Sequence, residues 1–516
     1  MKRTLLVVID ALATRIVKPA IEAGKLPTFK QLIERGAMRD ECITIFPSIT
    51  PAATASIITG TYPSEHGVAG AYFYDTDDDK VYYFGTDFWA VQRQSFSTYF
   101  QDFLLSLNDR VLCADTLFQT AESCGLQAGC INYMIYRGNR KHTVDMPWLM
   151  KLWPGIPFSS EISGPALLYE GDFVADAIGA DVERLAGDGG MLRRFGFQDE
   201  TTAQILNTIA KADAWPDFTL AYFPDNDFDS HDQGPAAALA TVQKVDTKLA
   251  ELFEICGGID KFLETHAILI VGDHSQSDLI ADRDACGIDI DKTLPDCDIV
   301  AAGADWTDTS QLMACPNMRA CQFYLRRGHQ TERSQIVNQL LSDPRVDQVI
   351  WREPRLNSTE SAFVVATADR GELLFSRVTD ASHSRHHHAR DDFGNTWEVS
   401  GDLSAVDASV EQGHIAYRDY PNALERIATS FHVPTSGDLW ATARPGHEFK
   451  LADTKLNEAG SHGSLHALDS LAPLIVAGLP TGVEVPEKVR TVDIVPLCEK
   501  ILGMDRSTQQ RSNRCA

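Results

Sequence analysis

Three short apolar runs in this chain each lead into acidic residues. The run 4-TLLVVID-10 closes on Asp10, 218-FTLAYFPDND-227 leads to Asp227 with His231 four residues on, and 266-HAILIVGDH-274 closes on Asp273 and His274. Nearly continuous apolar runs of this length fit strands of a parallel sheet covered on both faces. Between them the period changes to that of helices. Val17 to Arg35, apolar at Ile21, Phe29, Leu32 and Ile33, is predicted as one helix stopped by Gly36. Leu112–Ser123, Thr201–Ala214 and Pro235–Cys256 are predicted helices, and 127–136 a further strand; residues 137–198 carry no clear period and are expected to be irregular. Strands alternating with helices predict an α/β fold, with a mainly parallel central sheet flanked by helices.

After Ser275 the texture changes. Residues 278–318 are polar and rich in aspartate. A strand is predicted over 320–327, a helix over 332–343, a strand over 346–352, and a hairpin over 362–378 turned at Asp369-Arg370-Gly371. This β-α-β-β unit reads as a smaller α+β cap inserted into the core. The expected division is core over 1–310, cap over 311–440, and the final part of the core over 441–516. Residues 379–435 are expected to be loop-rich, with a helix near Ala423 to Phe431. Tyr72, Phe73, Tyr74, Tyr82, Tyr83, Phe84, Phe88 and Trp89 surround the acidic stretch 75-DTDDDK-80 and are expected to pack beneath a long loop, with pocket lining as the alternative.

Composition narrows the function classes. Lysine and arginine total 46 against 72 acidic residues, so the net charge is 46 − 72 = −26. A chain this acidic is a poor grip for nucleic-acid phosphates, and no polymeric nucleic acid is expected as a partner. A small-molecule phosphoester stays open, because a bound cation inverts the sign at one site. No apolar stretch approaches the roughly 18–20 residues of a membrane span, so no membrane partner is expected. Eleven cysteines without C-x-x-C pairs suggest reduced thiols. With only Met1, Lys2 and Arg3 before the first strand, the expected location is cytoplasmic. The histidine cluster 383-HSRHHH-388 has no spaced carboxylates and reads as solvated. Nothing in the sequence fixes the oligomeric state.

The candidate chemistry lies at Thr50. The apolar run Cys42–Phe46 stops at Pro47-Ser48, and a helical stretch after Thr50-Pro51 ends at Gly60. Threonine is a favoured N-cap and proline a favoured first residue, which puts the Thr50 hydroxyl at a helix N-terminus, a ready anion site. Asp10, Asp227, His231, Asp273 and His274 fall at the carboxyl ends of predicted strands, where ligands bind in open α/β sheets. His462, in 461-SHGS-464, precedes the last such run, 472-APLIVAGL-479. Three aspartates and three histidines so placed predict a metal site. Asp225 and Asp229 are rivals to Asp227, which the three-residue gap to His231 and the following Gly234-Pro235 favour.

This pattern resembles the alkaline phosphatase superfamily, within it the type I phosphodiesterase/nucleotide pyrophosphatase branch. That branch has a threonine ten residues before the glycine of a Thr-Gly-x-Tyr-Pro-x-x-His-Gly segment, matched by Thr50 and 59-TGTYPSEHG-67. Its Asp-x-x-x-His-x-x-Gly-Pro is matched by Asp227, His231, Gly234 and Pro235, its Asp-His pair by Asp273-His274, and its late His-Gly by His462-Gly463. The resemblance covers residues 1 to about 310 and about 445 to 510. It implies two divalent metal ions, with Zn2+ expected and Mn2+ also suited to these ligands. One would be held by Asp227, His231 and His462, the other by Asp10, Asp273, His274 and the Thr50 hydroxyl. It further implies attack by Thr50, a phospho-threonine intermediate, and hydrolysis of nucleotides or other small phosphodiesters and pyrophosphates. Two departures stand out. The branch's asparagine three residues after the nucleophile is Ala53 here, so the N–H groups near Ala52 and Ala53 and the hydroxyl of Thr54 are the expected phosphoryl contacts. The Asp-His pair continues as Ser275-Gln276, where Gly-Met is frequent. A phosphomonoesterase or phosphonate hydrolase using the same site is the enzymatic alternative; a metal-stabilised binding or regulatory protein is the non-enzymatic one. The Cys/Ser-x-Pro-x-Arg motif of sulfatases is absent from residues 48–54.

Overall fold

Nine strands make the central sheet, in the spatial order Val489–Arg490, Gly36–Ile43, Leu471–Ala477, His266–Val271, Arg3–Ile9, Phe218–Phe223, Ala128–Ile131, Leu167–Glu170 and Val174–Asp176. The coordinates are a computed structural model that describes residues 2–85, 88–144, 160–176, 191–326, 333–354, 361–378, 388–431 and 435–504. Five neighbouring pairs run parallel. The pairs made by Leu471–Ala477 and the edge pair ending at Val174–Asp176 run antiparallel. The three strands that lead into Asp10, Asp227 and Asp273 are adjacent and parallel, so their carboxyl ends meet at one edge.

Alternation along Arg3–Ile9 sends Leu5, Val7 and Ile9 into one apolar layer and Leu6 and Val8 into the other. The first layer packs beneath Pro27–Glu34, Asp199–Lys211 and Leu239–Ile255. The second holds Ala52, Ala53, Ile57 and Ile58 of the helix Thr50–Thr59, together with Ile494–Leu502. The helix bearing Thr50 is therefore buried against one sheet face, which explains its apolar, almost featureless sequence.

A second sheet of ten strands, with Leu312–Asn317 at one edge and Ala408–Glu411 at the other, takes the place of the small β-α-β-β cap. Its strands Ala320–Leu325, Val346–Pro354, Ser361–Ala366 and Glu372–Arg377, and its helix Arg333–Ser342, follow the sequence pattern closely. The boundary expected at 440/441 falls inside Leu439–Ala443, which pairs between Ala320–Leu325 and Val346–Pro354.

Several expectations need correcting. The helix expected over Val17–Arg35 is two, Thr14–Glu22 and Pro27–Glu34, because Gly24 takes a positive φ of 72° and Pro27 starts a fresh N-terminus. Gly36 opens a strand instead of closing the helix. The helix expected from Leu112 starts at Leu117, where Thr116 and Gln119 form a capping box. Residues 137–198 contain strands, among them Arg140–Val144 and Leu167–Glu170, and 379–435 contain His388–Arg390, Thr396–Gly401, Ala408–Glu411 and His414–Tyr417. The acidic stretch 75–80 turns the hairpin Tyr72–Asp75/Lys80–Tyr83, with Tyr72, Phe73, Tyr82 and Tyr83 buried. The side chains of Phe88 and Trp89, and residues 383–387 of the histidine cluster, lie outside the described residues. Nine described cysteines are free, while Cys113 is disulfide-bonded, so the expectation of reduced thiols fails there. Among the described residues no helix is long and apolar enough to cross a membrane.

The second sheet is tied to the core through Arg319, which is fully buried. Its guanidinium donates to Asp469, to Ser277 Oγ at 2.8 Å and to Ala443 O at 3.0 Å. Asp469 Oδ2 in turn accepts from Ser464 N at 2.9 Å, and Arg319 N donates to His462 O at 2.8 Å. Asp469→Ala leaves the guanidinium buried without its counter-charge. The expected cost is about 3–5 kcal/mol, read from urea unfolding of wild type and variant.

Candidate metal centre and nucleophile

Strand register brings the first pair of carboxylates together. Val8 lies opposite Val271, so two residues further Asp10 comes level with Asp273. Both follow the parity of Val8 and Val271, on the side of the sheet that carries the Thr50 helix. Asp227 and His231 sit four apart on the helix Asp225–Gln233, sharing a face, with His231 Nε2 3.3 Å from Asp227 Oδ2. His462 follows Gly460–Ser461, which pairs with Ser277–Asp278 just after His274. Gly463 has φ 120° and its Cα faces Asn317 O so closely that an added Cβ would lie 2.4 Å away, a physical reason for glycine after His462.

Thr50 is the first residue of its helix, and Ile49, not Thr50, is the N-cap. Its Oγ1 lies 3.0 Å from His274 Nε2. Thr50 is partly exposed, whereas the surrounding aspartates and histidines are buried or nearly so. The histidine of 59-TGTYPSEHG-67 has another task. Val68 N donates to His66 Nδ1 at 3.1 Å, so the proton is on Nε2, which donates to Ser56 Oγ at 2.9 Å and staples the nucleophile helix. Burial pushes His66 down to about 3.

The three remaining histidines share one arrangement. Nδ1 of His231 faces Gly460 O at 2.8 Å, that of His462 faces Ser48 O at 2.8 Å, and that of His274 faces Ser275 O at 3.0 Å. A carbonyl only accepts, so each Nδ1 carries a proton and each ring turns its Nε2 toward the site, where an unprotonated Nε2 can bind a metal. The carboxylates are arranged likewise. Asp273 Oδ1 accepts from Ala11 N and His274 N at 3.1 and 2.9 Å, Asp10 Oδ2 accepts from the Tyr222 hydroxyl, and Asp227 Oδ1 accepts from Gln276 Nε2 at 2.6 Å. Asp10 Oδ1, Asp273 Oδ2, His231 Nε2 and His462 Nε2 are buried without a hydrogen-bond partner. Buried polar atoms are rarely left unpaired in native proteins. Four of them converging, all nitrogen and oxygen, fit divalent cations of the zinc or manganese kind.

Charge leads to the same conclusion. Among the described residues, the ion-pair partners of Asp10, Asp227 and Asp273 are histidines only. Burial, then Asp273 and Asp227, raise Asp10 well above the usual carboxylate range, and burial raises Asp273. Burial opposes charge on Asp227 too, but His231, His462 and His274 outweigh it and hold that carboxyl low. Burial likewise opposes charge on His231, and Asp227 outweighs it, lifting the ring to about 9. Three buried carboxylates with no lysine or arginine paired to them among the described residues make a setting that suits a bound cation.

Two groups of three offer ligand atoms within 4.8 Å of one another, Asp10–Asp273–His274 and Asp227–His274–His462. His274 thus belongs to both, and its ring stacks on that of His462 with centroids 3.8 Å apart. The expected division gave His274 to one metal only. His231 touches Asp227 but lies outside both triplets. The rival aspartates turn away: Asp225 pairs with Arg194 and accepts from Asp199 N, and Asp229 accepts from the Thr241 hydroxyl. Two expected phosphoryl contacts are committed elsewhere. Ala53 N donates to Ile49 O at 2.9 Å, and the Thr54 hydroxyl donates to Thr50 O at 2.6 Å, back-bonding within its own helix. Ala52 N–H keeps the helix N-terminal position expected of a phosphoryl donor.

Tyr222, Gln276 and Asn226, whose Nδ2 donates to Asp10 O at 2.7 Å, support the site and were missed by sequence reasoning. The only signal was a hydroxyl or amide beside each ligand-bearing stretch.

The fold is α/β, with the candidate site at the carboxyl ends of a largely parallel sheet. The family model for type I phosphodiesterase / nucleotide pyrophosphatase matches residues 4–465, and the chain belongs to that family. Among solved structures it is similar to an inactive variant of murine ectonucleotide pyrophosphatase/phosphodiesterase 5 in complex with AMP, at 12% identity and TM-score 0.56, covering 99% of this chain and 98% of that one. It is also similar to phosphonoacetate hydrolase from Sinorhizobium meliloti in complex with phosphonoformate, at 15% identity and TM-score 0.54, covering 97% and 96%.

Proposed function

We propose that the chain is a two-metal hydrolase of small phosphodiesters or pyrophosphates, nucleotides foremost, with Thr50 as nucleophile. The observation that carries this reading is the 3.0 Å contact of Thr50 Oγ1 with Nε2 of His274, the residue common to both triplets. Asp10, Asp273 and His274 would hold one ion and Asp227, His231 and His462 the other, with His274 bordering both. Bound there, divalent ions supply Lewis acidity that makes the Thr50 hydroxyl a better nucleophile and neutralises charge on the phosphoryl group.

The remaining work falls to the chain. Thr50 gives up its hydroxyl proton to solvent and its Oγ attacks phosphorus; the new O–P bond forms as the bond to the leaving oxygen breaks, that oxygen takes a proton from water, and a phospho-Thr50 ester results. Water then cleaves that ester and restores the hydroxyl. The N-terminus of Thr50–Thr59 faces the phosphoryl oxygens with the positive end of its dipole and with Ala52 N–H. The Nδ1 contacts to Gly460, Ser48 and Ser275 keep the three imidazoles oriented throughout.

Rates on bis(p-nitrophenyl) phosphate, p-nitrophenyl phosphate, a dinucleotide pyrophosphate and phosphonoacetate, with zinc or manganese supplied, test the proposal. The diester or pyrophosphate is expected to be cleaved fastest. Preference for the monoester or the phosphonate would move the assignment to those classes, and metal-loaded protein inert on all four would favour a binding role.

A further inference from the structure

We propose that Gln276 is a positioning residue that fixes the Asp227 carboxylate and so sets how tightly one of the two metal positions is held; this rests on the two-metal reading above. Gln276 is fully buried, and its Nε2 donates to Asp227 Oδ1 at 2.6 Å. The reverse amide orientation would set Oε1 against a carboxylate oxygen at that distance, two acceptors with no proton between them, so the donor assignment follows from the geometry.

The other end of the amide is telling. Oε1 is buried with no hydrogen-bond partner. An apolar side chain of similar length would avoid that penalty, so packing alone gives no account of glutamine here. Oε1 lies against Gly460, where an added Cβ would approach it to 2.5 Å, and Gly460 O is the acceptor that orients His231. One side chain is thus wedged between the carboxylate and the backbone that holds its histidine partner. Its own backbone is pinned, because Gln276 O accepts from Arg15 Nη2 at 2.8 Å and the adjacent Ser277 pairs with Ser461.

The consequence is specific to one position. With Oδ1 engaged by the amide, Oδ2 is the Asp227 oxygen turned to His231. Asp10 and Asp273 are steadied independently, by Tyr222 and by the N–H groups of Ala11 and His274. Loss of the Gln276 amide therefore loosens the position built on Asp227 and leaves the other alone.

Zinc affinity measured by chelator competition tests this on wild type, Gln276→Met, and Gln276→Met combined with Asp10→Asn or with Asp227→Asn. Wild type is expected to hold two zinc ions. Gln276→Met should weaken one of them by roughly 10–100-fold, the usual effect of losing an outer-shell partner. The same loss should appear in the Asp10→Asn background and vanish in the Asp227→Asn background, a pattern that general destabilisation does not produce. If Gln276→Met does not fold, Gln276→Asn keeps the amide chemistry, shortens its reach and should give the same pattern. Two zinc ions held as tightly as in wild type, or both weakened equally, would overturn the role of Gln276 and leave the two-metal reading standing. Wild type that holds no zinc would overturn both.

Discussion

Thr50→Ala is expected to keep its metals and lose phosphodiester hydrolysis by roughly 10^4–10^6 in kcat, the range seen when a catalytic nucleophile is removed. The six other ligand side chains are aspartates and histidines with their own supports, so the loss of one hydroxyl leaves the metal site assembled. The helix also survives, since its cap is Ile49 and its first internal bond runs from Ala53 N to Ile49 O. What disappears is the group 3.0 Å from His274 Nε2. Parallel metal analysis and turnover on one preparation check the expectation. Activity within tenfold of wild type would remove Thr50 from the chemistry.

His274→Ala is expected to have the largest effect on metal binding, because His274 stands in both triplets. Metal content should fall below one ion per chain, whereas His231→Ala, at a residue outside both triplets, should lose one ion. Stability follows by mass action: an ion present at ~1,000 times its Kd adds about 4 kcal/mol to the unfolding free energy. The gain on adding zinc should therefore be nearly abolished in His274→Ala and about halved in His231→Ala. Urea unfolding with and without zinc reads both. An undiminished gain in His274→Ala would contradict the shared role.

Part of the candidate site was legible because Asp10, Asp227 and Asp273 follow apolar runs, and the structure brings them together with His274 and His462. Asp10 and Asp273 needed only the rule that ligands gather at strand carboxyl ends, and strand register then set them side by side. Asp227 could be chosen over Asp225 and Asp229 by the helical spacing to His231, and the structure shows the two rivals paired elsewhere. What surrounds the ligands was not legible. Tyr222 reads as one more residue of a buried strand, and Gln276 as a departure from a motif, until the fold sets each against a carboxylate. Thr54 looked like a donor because a hydroxyl near a helix start often is one, yet its proton goes to Thr50 O. The second sheet was underestimated for a related reason. Strands such as His414–Tyr417 and Ala408–Glu411 are short and largely exposed, so they lack the apolar runs that revealed the core.

Two ions bound beside Thr50 are central to the proposed chemistry. Crystals grown with zinc, with diffraction recorded at the zinc absorption edge, locate every bound ion directly. The prediction is two anomalous peaks, one among Asp10, Asp273 and His274 next to Thr50 Oγ1, the other among Asp227, His231 and His462. Zinc found only elsewhere on the molecule, with neither group occupied, would contradict it.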